Sequence, residues 1–174
     1  MDDDARSRTL VFIGDSITDA GRLEEPDGLG SGYVRMVAAQ LAEHAQPVRV
    51  INRGVSGDRA ADLRERFDRD CLALAPDVVT IYVGVNDTWQ AMQRSEPTTS
   101  AADFDRSCRS MLDALASEHP TARVVLMLPF LVDVDEGTAR GQDDLGDKAE
   151  ILRRLARERG AAVVDLPAVM RRAE

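Results

Sequence analysis

Residues 9–22 read TLVFIGDSITDAGR. A short apolar run rich in β-branched and aromatic residues ends at Gly14, an aspartate follows, and a serine comes next. A run of this length with no polar alternation suits a strand covered on both faces, as in a parallel sheet. Ser16 then stands just past the carboxyl end of that strand. It is either a nucleophile or the N-cap of the next helical turn, a role Thr18 would also fill.

The pattern repeats along the chain at residues 48–51 (VRVI), 78–83 (VVTIYV), 124–128 (VVLML) and 162–164 (AVV). Between these runs the sequence predicts helices over 33–43, 60–74, 102–118 and 144–159. In the third helix Phe104, Cys108, Met111, Leu112 and Leu115 recur at three- and four-residue spacing, which marks a buried stripe. Strands alternating with helices imply an α/β fold, a parallel sheet wrapped by helices. Ligands bind such sheets beyond the carboxyl ends of the strands. The stretches 24–32 and 133–147, rich in Gly, Asp and Pro or acidic, are expected to be mobile loops on that edge.

The chain's 174 residues, 44% hydrophobic and 30% charged, predict one globular domain over 1–174 with a flexible tail at 1–8. A formal net charge of −9 leaves no basic stripe to neutralise phosphates, so neither nucleic acid nor an anionic membrane is an expected partner. The N-terminus MDDDARSRTL lacks the features of a secretory signal, and no run is long enough to span a bilayer, which leads us to expect a cytoplasmic protein. Cys71 and Cys108, one in each of two predicted helices, read as small core hydrophobes.

Three loops follow the first three strands. The first carries Gly14, Asp15 and Ser16; a serine becomes a strong nucleophile only with a base and with donors for the oxyanion. The second, after Ile51, reads NRGVSGDRAADL. Its glycines at 54 and 57 allow close backbone approach to a ligand, its spacing is not that of a phosphate-binding loop, and Asp58 reads as an N-cap. The third reads GVNDTW, where Asn86 offers a carboxamide donor suited to an oxyanion hole, or serves as a turn residue. Each signal alone is weak. A hydroxyl, a glycine N–H and an amide gathered at neighbouring strand ends are specific together.

GDS after the first strand, NxGxSGD after the second and GxND after the third resemble the GDSL, or SGNH, hydrolase family, in the matching order and over residues 10–166. The resemblance implies a flavodoxin-like three-layer α/β/α sandwich with a five-stranded parallel sheet. It implies Ser16 as nucleophile, with its own N–H, the Gly57 N–H and the Asn86 amide forming the oxyanion hole. Asp15 and Asp87 are implied as supporting carboxylates. No cofactor or metal is implied. A cluster of Asp15, Asp19 and Asp87 for Mg²⁺ is the rival reading, against which stands the lack of a lysine at the strand ends, Lys148 being the only one.

Such a serine also needs a histidine oriented by a carboxylate. In the family both come from a DxxH motif near the C-terminus; here VVDLPAVMRRAE places Ala168, not a histidine, three residues after Asp165. His44 and His119, the only histidines, are expected at the amino edge as solvated or capping residues. The expectation is a chain truncated before its catalytic pair and final helix, with low activity and an apolar face that favours a homo-oligomer. The rival is a pseudo-hydrolase that binds without turnover. The expected substrate is a small-molecule ester with a short acyl group, such as an acetylated sugar, with Trp89 and Tyr33 as a wall for its ring. Lysophospholipase or thioesterase chemistry is the alternative within the same family.

Overall fold

A computed structural model of the chain describes residues 7–43, 47–94, 99–131 and 136–170. His44 and residues 1–6 of the expected tail lie outside them, and Arg8 belongs to the first strand. The described elements run β1 (Arg8–Gly14), α1 (Ser16–Asp19), α2 (Tyr33–Ala42), β2 (Val48–Gly54), α3 (Ala60–Asp70), a 3-10 turn (Leu72–Leu74), β3 (Val78–Tyr82), α4 (Val85–Arg94), α5 (Ala101–Glu118), β4 (Arg123–Met127), α6 (Glu136–Arg159), β5 (Ala162–Val164) and α7 (Leu166–Met170).

The five strands form one parallel sheet in the order β2-β1-β3-β4-β5. The order reverses at β1, and a crevice opens beyond the carboxyl ends of β1 and its two neighbours. Side chains alternate across the sheet. Val11, Ile13, Val79 and Ile81 face one side and join a core with Phe67, Phe104 and Leu152 from α3, α5 and α6. Phe12 faces the other, where its ring meets Tyr33 of α2 edge-on at 5.8 Å, and Tyr33 meets Tyr82 at 6.5 Å. Helices therefore cover both faces in three layers.

Four expectations are corrected. The helix expected over 60–74 ends at Asp70, so Cys71 is its C-cap and not a helical residue; both cysteines are buried, which raises their thiols and leaves them inert. GVNDTW is not a loop: Val85 begins a helix, and the turn is confined to Gly84 at φ 126°. The acidic stretch at 133–147 is helical from Glu136 onward, because Leu145, Lys148, Ala149 and Leu152 continue one buried stripe that its acidic surface residues disguise. The loop at 24–32 is also fastened, with Arg35 donating to the Gly30 carbonyl at 2.6 Å and pairing with Glu25 and Asp27. Among the described residues no helix is long and apolar enough to cross a membrane.

Candidate active site at the carboxyl ends of β1, β2 and β3

The site rests on two glycines paired in register. Gly14 ends β1 opposite Gly54, which ends β2, and opposite Tyr82 on β3. A Cβ on Gly14 would lie 2.5 Å from the Tyr82 carbonyl, and one on Gly54 would lie 2.1 Å from the Asp19 nitrogen. Without side chains there, the single turn α1 lies directly on the strand ends.

Asp15, not Ser16 or Thr18, caps that turn: its carboxylate accepts from the Ile17 N–H at 3.0 Å. Thr18 is buried and its hydroxyl meets the Tyr33 hydroxyl at 3.0 Å. Ser16 is the first helical residue, its side chain is exposed, and among the described residues nothing bonds to its hydroxyl. The capping role that competed for Ser16 is therefore taken by its neighbour.

The second loop is tied to this turn from several sides. The Val55 N–H donates to the Gly14 carbonyl at 3.0 Å and the Ser56 hydroxyl donates to Asp19 at 2.8 Å. Gly57 is exposed at φ 90°, a backbone state that side chains disfavour. Asp58 is not the cap of α3. Arg66 claims its carboxylate at 2.6 Å, and the N-cap is Arg59, whose N–H donates to Asp62 at 2.9 Å.

From the first turn of α4, the Asn86 carboxamide donates to the Asp58 carbonyl at 3.0 Å. This sets it beside the residue that follows Gly57 and leaves its nitrogen a second hydrogen to donate. Asp87 is buried and accepts from the Ala60 N–H, the first of α3, at 3.0 Å. The structure thus brings the GDS turn, the Gly57 loop and Asn86 together in one hydrogen-bonded assembly. Trp89 is half-buried one turn beyond Asn86 on the same face of α4. Tyr33 spends its ring on Phe12 and Tyr82 and its hydroxyl on Thr18.

Asp15, Asp19 and Asp87 are each turned to separate donors, and no group of three metal-ligating residues occurs among the described residues. His119 caps α5 and its ring meets the Leu72 carbonyl at 2.9 Å, at the amino edge of the sheet. Asp165 accepts from Arg153 at 2.7 Å and from the Ala168 N–H at 2.9 Å.

Two residues that sequence reasoning passed over hold the assembly. Asn52 is buried; it donates to the carbonyls of Thr18 at 2.6 Å and Leu29 at 2.9 Å and accepts from the Gly54 N–H at 2.8 Å. Arg66 reaches from α3 to Asp58, to the Arg53 carbonyl at 2.9 Å and to the Gly14 carbonyl at 3.1 Å, locking both strand ends and the second loop with one guanidinium. An asparagine just ahead of NRG's glycine was the available signal for the first; nothing local signals the second.

Burial pushes the Asp15 carboxyl from 3.8 up to about 6, with the charges of Asp87 and Asp58 adding to the rise and the Ile17 N–H opposing it. Between about pH 4 and pH 6 the folded chain holds a proton there that the unfolded chain releases, so this group's contribution to stability falls as pH rises through that window. Two units correspond to about 3 kcal/mol. Denaturant unfolding of wild type and Asp15→Asn, in which asparagine keeps the cap, should show the wild-type advantage shrinking by about that amount from pH 4 to pH 7. A pH-independent difference would contradict the buried cap.

Comparison with known proteins agrees with this architecture. The model of the GDSL-like lipase/acylhydrolase family matches residues 12–174. An acetylxylan esterase from Geobacillus stearothermophilus is 33% identical over 173 residues, covering 91% of this chain and 76% of that protein. Its solved structures, at TM-score 0.80 and 29% identity over 91% of this chain and 75% of theirs, include catalytic mutants in which a serine, an aspartate or a histidine is replaced by alanine. A GDSL-like protein of Parabacteroides merdae superposes at TM-score 0.83 with 31% identity, over 91% of this chain and 77% of that one. The chain belongs to the GDSL-like lipase/acylhydrolase family and is a carboxylic ester hydrolase.

Proposed function

We propose that the chain cleaves small acyl esters through an acyl-serine intermediate on Ser16, with acetylated carbohydrate as the substrate class. The observation that carries this reading is the exposed Ser16 hydroxyl, relieved of capping by Asp15, on a turn bonded to the Gly57 loop, to which Asn86 is itself bonded.

The hydroxyl oxygen of Ser16 bonds to the acyl carbon as it gives up its proton, and the carbonyl oxygen becomes an oxyanion. Collapse of that adduct breaks the ester C–O bond as the alcohol leaves with the proton Ser16 lost; water then attacks the acyl-serine, releasing the acid and restoring the hydroxyl. The Ser16 N–H, the Gly57 N–H and the second Asn86 amide hydrogen serve as donors to that oxyanion. Asp15 holds the nucleophile's turn and Asp87 holds the start of α3 against the start of α4. Trp89, on the Asn86 face of α4, is the wall for the alcohol's ring; Tyr33 steadies the nucleophile's turn through the Thr18 hydroxyl. Neither His119, at the amino edge, nor Asp165, engaged by Arg153 and Ala168, is assigned to the proton transfer. An acetyl group as the acyl transferred to Ser16 is supported by the acetylxylan esterase relative.

A fluorophosphonate probe followed by peptide mass spectrometry tests the reading. Capture is expected on Ser16 alone, and Asn86→Ala should slow it by about 10²–10³-fold, as loss of one oxyanion donor does. Capture elsewhere, or a rate indifferent to Asn86, would overturn the assignment. With p-nitrophenyl esters, acetate should be preferred over palmitate.

A further inference from the structure

The chain's single lysine has no part in the chemistry above. Lys148 lies on α6 and is 0% exposed. A buried ammonium is costly unless paired, and replacing a whole buried ion pair by well-packed apolar side chains is often neutral or stabilising. Stability alone therefore gives little reason for a lysine here.

Its surroundings give another. The Lys148 ammonium donates to Asp144 one turn earlier on α6, and the same Asp144 oxygen accepts from the Thr88 hydroxyl at 2.6 Å. Asp144 is 33% exposed, so water also solvates it, while Thr88 is buried in the first turn of α4. Lys148 also faces the buried Asp87 and favours its carboxylate, against a burial that raises it. The other groups facing Asp87 are the Ala60 N–H, the Thr99 hydroxyl, the Arg59 charge at the start of α3, Asp15 beyond β1, and Cys108 on α5; burial raises the last two and the Asp87 charge adds to the rise. The two residues after Asn86 are thus anchored in different directions, Asp87 to α3 and Thr88 to α6, and Lys148 is the cation common to both anchors.

We propose that Lys148 is a positioning residue for the oxyanion carboxamide: through Asp144 and Thr88 on one side and Asp87 and Ala60 on the other, its buried charge fixes the first turn of α4 so that Asn86 keeps one amide hydrogen on the Asp58 carbonyl and presents the other to the acyl oxygen. This rests on the reading of Asn86 as an oxyanion donor. The held hydrogen itself does not depend on catalysis.

The test compares wild type with Lys148→Met and Thr88→Val in the full chain. In wild type the Asn86 side-chain amide should give two separated proton resonances by NMR, one exchanging slowly. In Lys148→Met the Asn86 pair collapses toward solvent-like shifts, the Asp87 carboxyl titrates at higher pH, stability to urea at neutral pH falls with it, and fluorophosphonate capture slows about tenfold. Thr88→Val cuts one anchor without stranding a charge and should show the same amide change in weaker form; it decides the matter if Lys148→Met does not fold. An Asn86 amide and an Asp87 titration unchanged by both variants would overturn the proposal. If wild type is not captured at Ser16, the nucleophile reading falls, and the amide signature still decides whether Lys148 holds Asn86.

Discussion

Ser16→Ala is expected to abolish fluorophosphonate capture and to bring ester turnover, slow already with no base assigned beside the serine, down to background. Its unfolding free energy should stay within about 0.5 kcal/mol of wild type. The pairing of these results carries the argument. The Ser16 side chain is exposed and bonds to nothing among the described residues, and the orphan N–H at the start of α1 is satisfied by Asp15. A serine that capped the helix would instead cost about 1 kcal/mol on replacement and little in reactivity. Intact-mass spectrometry after probe treatment and urea unfolding of the same preparation separate the two roles. Capture that survives in Ser16→Ala would place the nucleophile elsewhere.

Gly54→Ala should produce a large loss of stability. The new Cβ would stand 2.1 Å from the Asp19 nitrogen and 2.6 Å from the Thr18 carbonyl carbon. Both are backbone atoms, so no rotamer change relieves the clash, and α1 must lift from the sheet. Overpacking with backbone displacement costs about 3 kcal/mol or more. At this chain length that corresponds to a Tm lower by about 6–12 °C. Since α1 carries Ser16, and since Arg22 donates to the Gly54 carbonyl at 2.6 Å and Asn52 accepts from the Gly54 N–H, probe capture should slow in the folded fraction as well. Thermal unfolding within 1–2 °C of wild type would show that the turn does not rest on the strand ends.

Lys148 illustrates why parts of the site escape a linear reading. On the sequence it is one lysine in an acidic stretch, and its effect on Asp87 exists only because α6 packs on α4. Arg66 and Asn52 are similar: Arg66 reaches a carbonyl 52 positions away and Asn52 one 34 positions away. Side chains that bind distant backbone carbonyls leave no spacing or period to detect. The helical start of α4 was hidden for a local reason, because Gly, Asn and Asp in GVNDTW are also what a turn uses. Here Asn86 and Asp87 occupy a helical first turn while their side chains bond to Asp58 and Ala60.

The order of strands and helices was legible because strands buried on both faces need near-continuous β-branched runs, whereas the helices covering them need a stripe at the helical period. Both are local patterns. The three strand-end segments that carry Ser16, Gly57 and Asn86 were legible for the same reason, as each follows one such run. Only the tertiary structure decided that Asp15 and not Ser16 caps the turn, that Gly14 and Gly54 lie side by side as its floor, and that Asn86 is held on Asp58. Those outcomes depend on strand register and on hydrogen bonds closed across long loops, which form only when the chain has folded.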